Sequence, residues 1–162
     1  LPVTIRVRPY RPADAAALRR VFWRAVQEGA ASAYDLRQRD AWARAPEAPP
    51  DWPDRLGRQI TLVAETTDGD GGPLGFMTLG HDGHLDLAFV LPEAMGGGAA
   101  AALHDRLLAE AEARGIDRLT TEASHLARRF LLKQGWSEIA AQEVEIGGVR
   151  LVNFRMAKRV GT

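Results

Sequence analysis

The sequence predicts an α/β (α+β) fold, a single domain over residues 1–162 built on a mixed, mostly antiparallel central sheet flanked by helices. Three observations carry that expectation. Short runs rich in β-branched residues alternate with stretches whose apolar residues recur every three or four positions. Between Ile60 and Val90 three such runs are separated only by "DGDGGP" and "HDG", loop and turn chemistry that makes them successive antiparallel strands. Near the end, Gly147-Gly148 joins two further runs as a hairpin. The resulting order is strand, helices, three strands, helix, strand, helix, two strands, which is a sheet with helices on its faces. A chain of 162 residues with 46% hydrophobic content is long enough for one such core.

Each element has its own signal. Ile5 to Arg8 reads as a strand, and the helix after it starts with Asp14 as N-cap and carries Leu18, Val21, Phe22, Ala25 and Val26 as one apolar stripe. "SAYDLRQRDAWAR", from Ser32 to Arg44, reads as a second helical piece, ended by the proline cluster that follows. Asp51 to Gln59 reads as another short helix, so residues 32 to 59 form a helical cap. "ITLVAETT", "LGFMTLG" and "HLDLAFV" are the three strands, the last running from His84 to Val90. A helix from about Gly98 to Arg114 places Ala102, Leu103, Leu107 and Ala111 on one face and ends at Gly115. "DRLTTEAS" is a strand and "SHLARRFLLKQG" a short helix stopped by Gly135.

Composition narrows the function. Lysine plus arginine number 21 and aspartate plus glutamate 21, so no net field favours nucleic acid or an anionic membrane, and neither partner is expected. The absence of cysteine excludes disulfides, thiolate metal sites and a cysteine nucleophile, and fits a reducing, cytoplasmic location. "LPVTIRVRPY" lacks the apolar core of a signal peptide, and no run is long enough to span a bilayer, so a soluble protein is expected. His104 and His125 lie on predicted helices without ligand spacing, and no metal is expected.

The most informative stretch joins the third of those strands to the long helix: "VLPEAMGGGAAAALHDRLL". Three glycines and four alanines leave the amide N–H groups of Gly96, Gly97, Gly98, Ala99 and Ala100 uncovered. The first turn of a helix has N–H groups with no intrahelical partner, and the helix dipole stands behind them. That combination suits a phosphate or pyrophosphate; relief of backbone crowding is the bland alternative. The nucleotide-triphosphatase loop needs Lys and Ser or Thr after its last glycine, where this chain has Ala99-Ala100. A dinucleotide fold needs its glycines in a first βαβ unit, whereas the strands before this loop read as hairpins. A ligand whose pyrophosphate rests on the helix start while an extended arm runs beside the strand remains, and coenzyme A has that shape.

At this point the residues resemble a family, the GNAT superfamily of acyl-coenzyme A dependent N-acetyltransferases. "FVLPEAMGGGAAAALHDRLL" matches its central signature through Val90, Pro92, Gly96, Gly98 and Ala100. "ASHLARRFLLKQGW" is similar to its second block through Ser124, Ala127, Phe130, Gly135 and Trp136. "YDLRQRDAWA", "HLDLAFV" and "VRLVNFRMAK" further resemble a group of small bacterial members often called YafP-like, so the likeness covers nearly the whole chain. The resemblance implies a GNAT-type fold and acetyl-coenzyme A as co-substrate, held by Ala88, Phe89 and Val90 of the strand, Met95 to Ala100 of the loop, and Ser124, Ala127 and Phe130. It also implies that a Phe89 or Val90 backbone N–H polarises the thioester carbonyl and that an amine attacks directly. Two positions depart from the pattern. Met95 replaces the loop's usual Gln or Arg, which removes a side chain but not the backbone donors. Leu131 replaces a tyrosine that many members use as general acid, a contribution of about 10²- to 10⁴-fold.

The acceptor side is less explicit. Strand alternation puts His84, Asp86, Ala88 and Val90 on one face and Leu85, Leu87 and Phe89 on the other. Asp86 is the candidate to receive the substrate amine or its proton, against an ordinary solvent-facing strand residue; His84 could join it or merely flank the turn. Tyr34 and Trp42 of the cap are candidates to line the acceptor pocket, against plain core aromatics. Ser124 can bond the pantetheine arm, cap the helix, or both. The expected acceptor is a small-molecule or protein amine, and exposed terminal strands allow a homodimer. The alternative function is an acyl-coenzyme A sensor or interaction module with little transfer; a plain nucleotide-binding domain ranks last.

Overall fold

A computed structural model describes residues 4–68 and 71–161. Its strands are β1 (Ile5–Pro9), β2 (Ile60–Thr66), β3 (Pro73–Leu79), β4 (His84–Val90), β5 (Arg118–Ala123), β6 (Ser137–Ile146) and β7 (Val149–Arg159). The helices are α1 (Ala15–Arg24), α2 (Leu36–Trp42), α3 (Trp52–Gly57), α4 (Ala99–Ala113) and α5 (His125–Lys133). One seven-stranded sheet runs in the order β1-β2-β3-β4-β5-β7-β6, which leaves β1 and β6 as its edges. Every neighbouring pair is antiparallel except β4 with β5.

The periodicities decide which face each helix covers. On α1, Leu18, Val21 and Phe22 are buried with Trp52 and Leu56 of α3 against Val63, Phe76 and Leu87 of the sheet. The apolar stripe continues through Ala25 and Val26, where the helix widens into a π-helical turn over Ala25–Gly29. On the other face, Leu103, Leu107 and Ala111 of α4 and Leu131 of α5 close over Leu62, Met77, Leu85, Leu119 and Met156. His104 shares the buried side of α4, while the expected Ala102 is only half-buried. A small third cluster, Ala30, Tyr34 and Leu151, fastens the segment before α2 to the β6–β7 hairpin.

Three local expectations change. Asp14 stands before α1 but makes no capping hydrogen bond. Its carboxylate instead accepts from both terminal nitrogens of Arg8 at 2.8 Å and from the Arg11 amide at 2.8 Å, because a bidentate arginine is the stronger partner. The second helical piece shortens to Leu36–Trp42, opened by Asp35, which accepts from the Gln38 amide while the Gln38 side chain accepts from the Asp35 amide. The simple alternation of β4 also fails. Thr78 pairs with Leu87 and Leu79 with Leu85, so Asp86 is an extra residue in the ladder. A bulge resets which side the next residue faces. Leu85 therefore joins the α4 side with Ala88 and Val90, while Leu87 and Phe89 face α1.

Candidate active site

The parallel ladder between β4 and β5 consists of two residue pairs, His84↔Thr120 and Leu85↔Thr121. Beyond them β4 stays paired only with β3 and β5 only with β7, so two unpaired strand edges face each other across a gap. Two cavities open on it. One, of about 480 Å³, runs from Ala88, Phe89 and Val90 past Met95, Gly96, Gly98 and Ala100 to Ala127 and Phe130 of α5. The other, of about 340 Å³, lies among Arg19, Phe22, Trp42, Arg55 and Asp86. Both are lined by Trp42, Ala88, Phe89, Ser124, Ala127 and Leu131, so they meet at that point.

The loop of the larger groove owes its shape to backbone conformation. Gly96 (φ 77°) and Gly98 (φ 95°) occupy the left-handed region, where a β-carbon is costly. Crowding is not the reason: a Cβ at Gly96 would meet nothing within 4 Å, and at Gly98 only Ile5 Cδ1 at 3.9 Å. Gly98 is the N-cap of α4, and its carbonyl accepts the Ala102 amide at 3.0 Å. The amides of Ala99, Ala100 and Ala101 therefore precede the helical ladder. The Gly97 amide is turned back onto the Ala94 carbonyl at 3.1 Å, and neither Gly97 nor the buried Ala99 lines the groove. The other residues expected at the cofactor all line the groove. Ser124 also caps α5, its hydroxyl accepting the Ala127 amide at 3.2 Å.

In the smaller cavity, Asp86 takes both Nε and Nη2 of Arg55 at 2.9 Å and Nε2 of Gln59 at 3.0 Å. Burial pushes its pKa up, but the hydrogen bonds from Arg55 and Gln59, with the charges of Arg55 and His84, outweigh it and hold the carboxyl below the usual aspartate range. The bulge that ejects Asp86 from the ladder turns it toward the end of α3, where Arg55 stands and where Gln59, just past the helix, is held by an Nε2–H bond to the Arg55 carbonyl at 2.9 Å. His84 lines neither cavity; its Nδ1 lies 3.0 Å from Thr120 Oγ1. Tyr34 lines neither one, being 4% exposed, with its hydroxyl donating to the Val152 carbonyl at 2.7 Å and accepting the His125 amide at 3.2 Å. Trp42 does line them, packed edge-on to Tyr34 and against Phe89.

Residues 52–158 match the family model described as Acetyltransferase (GNAT) domain. The chain is also 33% identical over 153 residues, 94% of both chains, to the Uncharacterized N-acetyltransferase YafP of Escherichia coli (strain K12). The chain belongs to the GNAT acetyltransferase family. A GCN5-related N-acetyltransferase of Rhodopseudomonas palustris superposes on this GNAT protein with a TM-score of 0.89 at 34% identity, over 98% of each chain. The PaiA N-acetyltransferase of Thermoplasma acidophilum, solved with coenzyme A, shares the fold at a TM-score of 0.76 and 17% identity, over 96% of this chain and 99% of that one.

As a GNAT member the chain is an acyltransferase. Leu131, at the family position where many members carry tyrosine, is 1% exposed and lines both cavities, so the junction holds an apolar wall in place of a proton donor. Several lining residues had no sequence signal of their own. Arg19 and Arg55 reach the smaller cavity from helices whose polar faces look merely solvated in the sequence. Arg129 and Lys133, four apart on α5, bring positive charge to the larger groove, a spacing legible in "ARRFLLKQ" once the loop beside it is known. Among the described residues no group of three acidic or histidine side chains gathers as a metal site, and no helix is long and apolar enough to cross a membrane.

Proposed function

We propose that the protein transfers an acetyl group from acetyl-coenzyme A to a primary amine by direct attack. The observation that carries this reading is the meeting of two cavities at Ala88 and Phe89, where β4 has parted from β5. In the reading, the pyrophosphate lies on the amides at the start of α4, near Arg129 and Lys133. The pantetheine arm follows the free edge of β4, and the thioester reaches the junction. The amine enters from the smaller cavity, its nitrogen bonds the carbonyl carbon, and the carbon–sulfur bond breaks. Backbone N–H groups at Phe89 or Val90 stabilise the oxyanion.

Asp86 is proposed to attract the amine rather than to hold its proton. A carboxylate acidified by Arg55 and Gln59 is a weak base, so the proton of the ammonium passes to water. His84 is proposed to act only from outside the cavity, at the start of the strand that carries Asp86, with its ring against Thr120. With Leu131 at the junction, the departing thiolate also takes its proton from solvent. A thiol is a fair leaving group, with a pKa near 8.5 for its cysteine analogue, so transfer survives without a dedicated acid. A cytoplasmic location fits a chain without cysteine.

Calorimetric titration with acetyl-coenzyme A, followed by thiol release against a panel of amines, tests the reading. Binding accompanied by amine-dependent release is the expected result. Binding without release from any amine would make the domain an acyl-coenzyme A sensor, and equal stabilisation by ATP or NAD would make it a general nucleotide binder.

A further inference from the structure

The smaller cavity contains a cation to which the other described residues offer no hydrogen-bond acceptor. Arg55, on its wall, is bound bidentately to Asp86. Arg19 is not so engaged. Among the described residues no acceptor receives a hydrogen bond from its guanidinium, and its Nε is buried without a partner. Asp51 acts on it through charge but forms no ion pair with it. Burial, and then the charge of Arg55, work against its positive charge. What holds the group is a platform of rings: its Cζ lies 4.8 Å from the centroid of Phe22 and 5.2 Å from that of Trp52. Trp52 is itself fixed by an Nε1–H bond to the Ala15 carbonyl at 2.9 Å.

Stacking of this kind satisfies the faces of a guanidinium and leaves its N–H edges unused, since those bonds lie in the plane of the group. A planar fork of donors matches a carboxylate or a phosphate bidentately, and the smaller charge of a carboxylate suits a cavity also lined by Asp86 and Glu122. Phe22 and Phe89 meet edge to face at 4.8 Å, with Trp42 beside both, and offer an apolar surface. Negative charge in the same cavity comes from Asp86, which is paired with Arg55, and from Glu122.

We infer that the acceptor is a small amine that also bears a carboxylate, of the amino-acid class with an apolar body, and that Arg19 receives the carboxylate. The inference rests on the transferase reading of the same site and adds the class of its acceptor. The zwitterion's two ends answer two groups already in place, the carboxylate to Arg19 and the ammonium toward Asp86. Its apolar body lies against Phe22, Trp42 and Phe89.

The test uses matched pairs of amines in the thiol-release assay: L-phenylalanine with phenethylamine, L-methionine with its methyl ester, and 4-aminobutyrate with butylamine. At least one carboxylate-bearing member should exceed its neutral twin in kcat/KM by about tenfold or more, the scale of a charge-assisted bidentate bond. In Arg19→Met that ratio should fall toward one, chiefly through KM, with Arg19→Lys in between. Coenzyme A affinity and melting temperature of the variants, matched to the parent, establish that they are folded. Neutral twins used as well as or better than their partners by the parent protein, or a ratio unmoved in Arg19→Met, would overturn the inference while transfer itself stood. If no amine supports release, transfer fails instead, and calorimetry on the coenzyme A-loaded protein decides the charge question. Binding of L-phenylalanine, L-methionine or 4-aminobutyrate that is absent for the neutral twin and lost in Arg19→Met keeps the inference; no such binding ends it.

Discussion

Asp86 shows how one residue's role follows from its position in a ladder. As an ordinary member of β4 it would share a face with Ala88; as the extra residue of a bulge it turns to α3 and meets Arg55 and Gln59. The carboxylate is thereby charged throughout the neutral range, its pKa held below 3.8 against a burial that would raise it. Replacing Asp86 with Asn keeps the shape, removes the charge and leaves Arg55 without its counter-ion. Turnover, read as kcat/KM for the amine, should fall by about 10²-fold, the scale of a lost charge contact, while acetyl-coenzyme A affinity stays close to that of the parent, measured by thiol release and calorimetry. In the parent, no loss of activity between neutral pH and about pH 5 should trace to this group, because its proton returns only below its ordinary pKa. Unaltered turnover in Asp86→Asn would remove the residue from the reaction.

At the scale of elements, the strand–loop–helix unit from β4 to α4 has the clearest tie between conformation and function. Gly96 and Gly98 are required by their positive φ values, and the space around them is open. Gly98→Val should therefore cost about 1–2 kcal/mol of stability through the backbone, read by denaturant unfolding. It should also weaken coenzyme A binding at least tenfold, because the first amides of α4 are reoriented; undiminished affinity in a folded variant would refute the proposed role of the loop. This unit was legible before any coordinates, as were β2, β3 and the apolar stripe of α1, since each is written in local periodicity or turn chemistry. The cap was legible only in part. "DLRQ" contains the Asp35–Gln38 capping box, but the preceding Ser32 to Tyr34 read equally well as helix. Asp14 had the right type and place for an N-cap, yet Arg8, six residues earlier and brought alongside by β1, claimed its carboxylate.

For the molecule as a whole, the two faces of the sheet give a pH dependence that separates into two windows. His104 of α4 is buried, accepts from Trp136 Nε1 at 2.9 Å, and has its pKa pushed down from 6.5 to about 4, chiefly by burial. The unfolded chain takes up that proton first, so stability is lost as pH falls from about 6.5 to about 4. On the β1 edge, Glu65 is held below its usual value by the hydrogen bonds of Arg6 and then Arg8, against burial, and Asp14 by that of Arg8. A carboxylate with a lowered folded pKa contributes stability that is complete above its unfolded value and lost as pH falls through the folded one. Asp14, Glu65 and Asp86 therefore act below about pH 4. Melting temperatures across pH should fall in both windows for the parent, whereas His104→Gln, lower overall for its lost packing, should be nearly flat in the upper window and keep the lower one. Equal slopes in the two proteins between about pH 6.5 and 4 would contradict this account.

What the sequence determined by itself is the order of elements, the faces that α1 and α4 bury, the glycine loop and the family, because periodicity, turn residues and small side chains act over a few neighbouring positions. Only the tertiary structure decided that Asp86 is a bulge residue bound to Arg55, that Tyr34 is fastened to β7 while Trp42 lines the cavities, and that Arg19 stands in the smaller cavity with no hydrogen-bond partner for its Nε among the described residues. Those facts depend on contacts between segments from about 30 to more than 100 residues apart. A charge's meaning lies in the partner that folding brings to it, and no local pattern of residues encodes that partner.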